Sequence, residues 1–106
     1  MRKGVVYYRD RIAGSLVEDE NGYTFAYAPD YLADSSMPSV SLTLPKRTKP
    51  YHSQHLFAFF YGLLAEGVQK ALQCRYLHID EEDDFGRLLA TSQNDCIGAV
   101  YVTAAP

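Results

Sequence analysis

Apolar and polar residues alternate along the first half of the chain and recur at three- and four-residue steps along the second, so the period itself predicts strands followed by helices. Gly4-Val5-Val6-Tyr7-Tyr8 is a short apolar run that Asp10-Arg11 interrupts with turn residues. Ile12, Gly14 and Leu16 then alternate with Ala13, Ser15 and Val17. Asn21-Gly22 is a two-residue hairpin signal that predicts a type I′ turn, with positive φ at both positions. Beyond it Tyr23, Phe25 and Tyr27 share one face, with Thr24 and Ala26 on the other. These segments predict three strands in an antiparallel meander. Ala28 to Ser36 is a connection with room for one helical turn after Pro29, and Val40, Leu42 and Leu44 alternate with Ser and Thr as a fourth short strand. Pro45 and Pro50 bracket a basic loop that closes this half.

From His52 to Tyr76 the apolar residues Leu56, Phe60, Leu63, Leu64, Val68, Ala71 and Leu72 follow helical spacing. Gly62 and Gly67 each cost about 1 kcal/mol in a helix interior. The pattern therefore predicts two helices, or one bent near Ala65-Glu66-Gly67. Phe57 and Tyr61 widen the apolar face beyond a single core-facing stripe. Asp80 reads as the N-cap of a further helix, with the acidic run Glu81 to Asp84 at its dipole-positive end and Phe85, Leu88 and Leu89 on its buried side. Ile97 to Val102 is a last apolar strand. The expected architecture is α+β: a small antiparallel sheet of four to five strands with two to three α-helices packed on it, forming one domain over residues 1–106.

Length and composition agree with that reading. The chain has 106 residues, enough for one core, and is 47% hydrophobic and 22% charged, which excludes a disordered chain. Nine Tyr and five Phe against no Trp supply aromatic surface for a sheet or an interface. The formal net charge of −3 argues against a dedicated nucleic-acid binder, and the cluster Lys46, Arg47 and Lys49 reads as a solvated loop. Leu56 to Leu64, the longest apolar stretch, is too short to span a bilayer. Met1-Arg2-Lys3-Gly4 runs directly into a strand-like segment, so a cytosolic setting with Cys74 and Cys96 as free thiols is expected.

Candidate chemistry is thin. His52 and His55 are spaced H-x-x-H with no third ligand at metal spacing, and Glu81 to Asp84 lacks the alternating ligands and glycine of a calcium loop. No glycine-rich loop opens a helix after a strand. Cys96 follows Asp95, whose charge raises rather than lowers a thiol pKa. No catalytic residue, cofactor or metal is expected.

The order of motifs resembles the N-terminal subdomain of HipA-like serine/threonine kinases. Ile12-Ala13-Gly14-Ser15-Leu16 is similar to that family's hydrophobic-Gly-x-Leu strand, and Tyr23 to Tyr27 followed by Tyr31-Leu32 to its F-x-Y…W/Y-L stretch. Ser39 to Pro45 resembles S-x-S-L-P-L, and Phe59-Phe60-Tyr61-Gly62-Leu63-Leu64-Ala65-Glu66-Gly67 resembles F-F-x-N-L-L-P-E-G, with Ala65 in place of the family's Pro. Asp83 to Leu89 corresponds to D-D-x-F-x-L-L with one residue fewer, and Asn94 to Val100 is close to G-x-D-C-x-G-A-V. The kinase body of the family would begin where this sequence stops, so a complete, detached subdomain is expected.

That layout is similar to the small HipS-type component of three-part HipBST toxin–antitoxin systems. The resemblance implies a non-catalytic antitoxin that binds and neutralises a HipA-like kinase toxin (HipT-type) lacking its own N-terminal subdomain, alongside a HipB-like DNA-binding protein. Neither direct nucleic-acid contact nor a membrane is implied. A structural partner that completes the kinase without inhibiting it is the alternative. The expected kinase-facing surface comprises Phe57, Phe60, Tyr61, Leu64, Ala65, Glu66 and Val68, with Asp95 and Cys96 as a second edge.

Overall fold

The computed structural model describes residues 1–64, 67–91 and 99–105. Strands β1 (Arg2–Tyr8), β2 (Arg11–Asp19) and β3 (Gly22–Tyr27) form the expected meander. Helix α1 (Pro29–Ala33) follows, then β4 (Tyr51–Ser53), the short helix α2 (Ala58–Tyr61), α3 (Gly67–Leu77), α4 (Asp84–Thr91) and β5 (Val100–Ala104). The five strands make one antiparallel sheet in the order β4-β3-β2-β1-β5. α1 is the single turn for which Pro29 leaves room, since its missing N–H is an orphan at a helix start anyway.

Strand alternation sorts the residues into two faces. Val6, Leu16, Phe25, Val100 and Val102 point to one side, where they bury against Tyr31 of α1, Phe60 of α2, and Phe85 and Leu88 of α4. Val5, Tyr7, Ser15, Val17, Thr24, Ala26 and Tyr101 lie half-buried on the other, where Tyr7 and Tyr101 stack at 5.0 Å. A bulge between Val6 and Tyr7 shifts the β1–β2 register. Gly14 follows it, and a Cβ there would drive into the backbone carbonyl of Ala26 on β3. The glycine of the hydrophobic-Gly-x-Leu motif is thus a close-approach residue.

Three details of this half differ from the sequence reading. Arg9 and His78 are the described non-glycine residues with positive φ, so Asn21 has none and the hairpin is not type I′. Instead Gly22 alone takes a φ of 125°, pairs back to Asp19, and passes so close to Ser53 that a side chain would meet its carbonyl. The fourth strand is not Val40–Leu44. The hydroxyl of Tyr27 donates to the Leu44 carbonyl and accepts from the Val40 N–H at 3.1 Å, while the Thr43 N–H bonds to Ser41 Oγ at 3.2 Å. Those local partners take the groups a ladder would need, and Leu42 ends fully exposed at the loop tip. Tyr51–Ser53, read as the approach to a helix, pairs with β3 as the edge strand.

The helical half splits in two, as the glycines predict. Gly67 opens α3 with a φ of 62°, a conformation that L side chains resist. The N-cap of α4 is Asp83 rather than Asp80: Asp83 Oδ1 accepts the Gly86 N–H at 3.1 Å, whereas Asp80 caps the preceding turn through the Glu82 N–H at 2.9 Å. α2, α3 and α4 are the helices expected of this half, and the single turn α1 brings the described helices to four.

Candidate functional site

Helical spacing places Phe60 on the inner side of α2, where it is fully buried among Phe25 at 5.6 Å, Phe59 at 5.2 Å and Phe57 at 6.2 Å between ring centroids. Leu64 joins the same core, and Leu56, Phe57, Phe59 and Leu63 are partly buried against it. These aromatic and aliphatic groups therefore hold the helical half to the sheet. Tyr61 and Val68 behave differently, being 46% and 77% exposed. Ala65, Glu66, Asp95 and Cys96 lie outside the described residues. Within the expected kinase-facing surface, the side chains open to a partner are thus Tyr61 and Val68, with Phe57 half-covered.

The exposed apolar surface runs further than the sequence reading placed it. Val68, Leu72 and Tyr76 stand four residues apart on α3, which puts them on one face. Leu72 is 60% and Tyr76 83% exposed, and Leu77 is also exposed beside them. The residue that α3 buries is Cys74, a free thiol whose carbonyl accepts the Ile79 N–H at 2.9 Å. Leu72 follows the helical spacing of the core residues, but helical periodicity is blind to which side faces the domain. Cys74, half a turn away from Leu72 and Tyr76, was the signal that the buried side is elsewhere.

α4, the neighbour of α3 in this region, is fixed to the sheet by a charged network. Arg2 on β1 donates from both terminal nitrogens to the Asp83 carboxylate, at 2.9 and 2.8 Å, and from Nε to Glu18 Oε1 at 2.8 Å. Its guanidinium also lies 5.3 Å from the centroid of the Phe85 ring. The Arg2 hydrogen bonds hold the Asp83 carboxyl below the usual carboxylate range, with the Gly86 N–H adding to the effect against partial burial. Glu18 in turn accepts the Tyr23 hydroxyl at 3.1 Å, and burial together with that acceptor pushes the Tyr23 phenol up to about 12.

The basic loop is braced rather than merely solvated. Lys46 donates to the carbonyls of Asp34 and Met37 at 2.8 and 2.9 Å and stands 5.2 Å from the Tyr31 ring centroid. Arg47 lies 3.5 Å from the Tyr51 centroid and donates to the carbonyls of Lys49 and Pro50. Asp34 is paired with Arg11 at 2.8 Å, and its hydrogen bonds from Ser36 and Arg11 lower its pKa to about 2. These cations stabilise the chain's own carbonyl oxygens and rings.

His52 sits exposed on the edge strand, 3.3 Å from Thr24 Oγ1, and His55 in the bend beyond it. No three His, Cys, Asp or Glu residues converge on a metal-sized site among the described residues. No described helix is long and apolar enough to cross a membrane.

Known proteins resemble this chain in sequence and in fold. An uncharacterised protein of Haemophilus influenzae is 37% identical over 102 residues, spanning 96% of this chain and 92% of its own length. A Sinorhizobium fredii protein named as a candidate kinase, Y4mE, is 33% identical over 98 residues, which cover 92% of this chain but 23% of that protein. The chain therefore spans about a quarter of the kinase-type relative. A solved structure, the N-terminal domain of HipA toxin, superposes with a TM-score of 0.74 at 32% identity, covering 100% of this chain and 94% of that one. The sequence profile of the HipA N-terminal domain matches residues 5–103, and on these grounds the chain belongs to the HipA N-terminal domain family.

Proposed function

We propose that this chain is a non-catalytic antitoxin that binds a HipA-like serine/threonine kinase of the HipT type and holds it inactive. The carrying observation is the pair of exposed apolar side chains Tyr61 and Val68 on a domain of the HipA N-terminal family, which is also the N-terminal domain of HipA toxin. Exposed apolar side chains grouped on one side of a small domain favour a protein partner, and aromatic residues such as Tyr61 commonly act as anchors. The family matched over residues 5–103 is the N-terminal domain of HipA, and that domain match supports a role through binding. A HipB-like DNA-binding protein is the third member of the assembly, and the compartment is the cytosol.

The test is a kinase assay on a HipA-like kinase whose own chain lacks this domain, with and without stoichiometric protein. Inhibition supports the antitoxin reading, and stimulation would replace it with a structural partner that completes the kinase. Tyr61→Ala should weaken kinase binding about thirtyfold while leaving the melting temperature in place. Leu64→Ala should instead lower stability by about 2–5 kcal/mol, because that side chain is 8% exposed and belongs to the core. Full inhibition by Tyr61→Ala would refute Tyr61 as the anchor.

A further inference from the structure

We infer that the groove between α3 and the C-terminal end of α4 takes an amphipathic helix of the protein partner, one that carries a carboxylate on the flank of its apolar stripe. This inference rests on the proposed function for the presence of a kinase partner and adds the surface and the chemistry it recognises. The groove, of about 600 Å³, is lined by Leu72, Gln73, Arg75, Tyr76, Leu77 and the Ala90–Thr91 end of α4. Its floor is apolar, and Arg75 is its one charged residue among those described.

Three observations select the occupant. First, the groove lies between two helices, and α3 alone is about 16 Å long at 11 residues. No strand edge borders it among the described residues, so an added strand would have no ladder to join, whereas apolar side chains at i and i+4 of a helix match the spacing of Leu72 and Tyr76. Second, α3 carries Lys70 and Arg75 and no acid, although the whole chain has a net charge of −3. Neither cation is in an ion pair among the described residues, so a partner carboxylate beside Arg75 meets an unneutralised guanidinium.

Third, the same charges disfavour the other occupants. A second copy packed through this face would bring Arg75 against its equivalent. An anionic bilayer would attract α3 but meet Asp80 and Glu81 on its other flank, with Glu82, Asp83 and Asp84 just beyond. The exposed residues continue those of the proposed kinase surface: Val68 on the first turn of α3 leads to Leu72 and Tyr76 on the same face.

The experiment is a calorimetric titration of the full chain with a HipA-like kinase lacking this domain, using wild type, Leu72→Ser, Tyr76→Ser and Arg75→Glu, with Lys49→Ala as a remote control. All three side chains are exposed, so each variant should melt with the wild type. Leu72→Ser and Tyr76→Ser should each weaken binding about tenfold or more, and Arg75→Glu should do the same while flattening its salt dependence. Kinase binding that survives all three variants overturns this groove but leaves the proposed function standing. A wild type that fails to bind the kinase overturns both. Sedimentation showing Leu72-dependent self-association, or Leu72-dependent capture by phosphatidylglycerol vesicles, would replace the partner helix with a second copy or a lipid surface.

Discussion

Replacing Asp83 tests the joint that sets α4 on the sheet, because its carboxylate has two separable roles. Oδ1 accepts the Gly86 N–H as N-cap of α4, and both oxygens accept the Arg2 guanidinium from β1. Asp83→Asn keeps a capping oxygen, since Asn caps about as well as Asp, but removes the charge. Asp83→Ala removes both. The ion pair is 40% exposed on the Arg2 side and 35% on the Asp83 side, so solvent screens it and its loss costs about 0.5–1 kcal/mol even with two-point geometry. Loss of the cap adds about 1 kcal/mol. Asp83→Asn should therefore cost about 0.5–1 kcal/mol and Asp83→Ala about 1.5–2.

Urea denaturation with an unchanged slope measures both, and each kcal/mol should move the melting temperature by about 4–8 °C in a domain of this size. The sign of the pH dependence follows from the lowered carboxyl pKa. The contribution is present above the unfolded value near 4 and is lost as pH falls through the lower folded value. Wild type should then converge on Asp83→Asn in acid while staying above Asp83→Ala. Equal losses for the two variants would refute the capping role. A wild-type advantage over Asp83→Asn that persists unchanged in acid would refute the Arg2 pairing.

Further outcomes follow from other contacts. Tyr27→Phe removes the hydroxyl that serves the Leu44 carbonyl and the Val40 N–H, so it should cost about 1–3 kcal/mol and raise amide exchange in the 38–45 loop; wild-type exchange there would refute the bridge. Gly14→Ala should destabilise by more than the fraction of a kcal/mol typical of a surface change, because its methyl would meet the backbone of Ala26; a neutral unfolding curve would show that β3 can yield. Tyr23 stays neutral more readily in the fold than out of it, so its contribution is intact below about 10 and lost as pH rises towards about 12. Glu18→Gln should bring its absorbance titration to lower pH, and an unchanged midpoint would exclude the Glu18 hydrogen bond as a cause.

What the sequence determined by itself was whatever depends on local period and backbone chemistry. Alternation fixed β1 to β3, since a one-residue slip would turn Val6, Leu16 and Phe25 out of the core. The glycines split α2 from α3, and the ordered motifs from Gly14 to Phe85 carried the family. Tertiary structure decided everything that depends on which groups meet across the chain. Ser41, Leu42 and Thr43 alternate like a strand, yet the hydroxyl of Tyr27 claims the backbone on both sides of them and turns them into a loop. Lys46 and Arg47 look like surface charge until the carbonyls of Asp34, Met37 and Lys49 are seen to surround them. The candidate surface divides the same way. Helical spacing groups Phe60, Leu64, Val68 and Leu72 as one apolar set, but only the packing separates Phe60 and Leu64, which seal the domain, from Val68, Leu72 and Tyr76, which face solvent. A period of 3.6 shows that a helix has an apolar side; where that side points is set by Cys74 and the end of α4, residues brought together by the fold and not by their order.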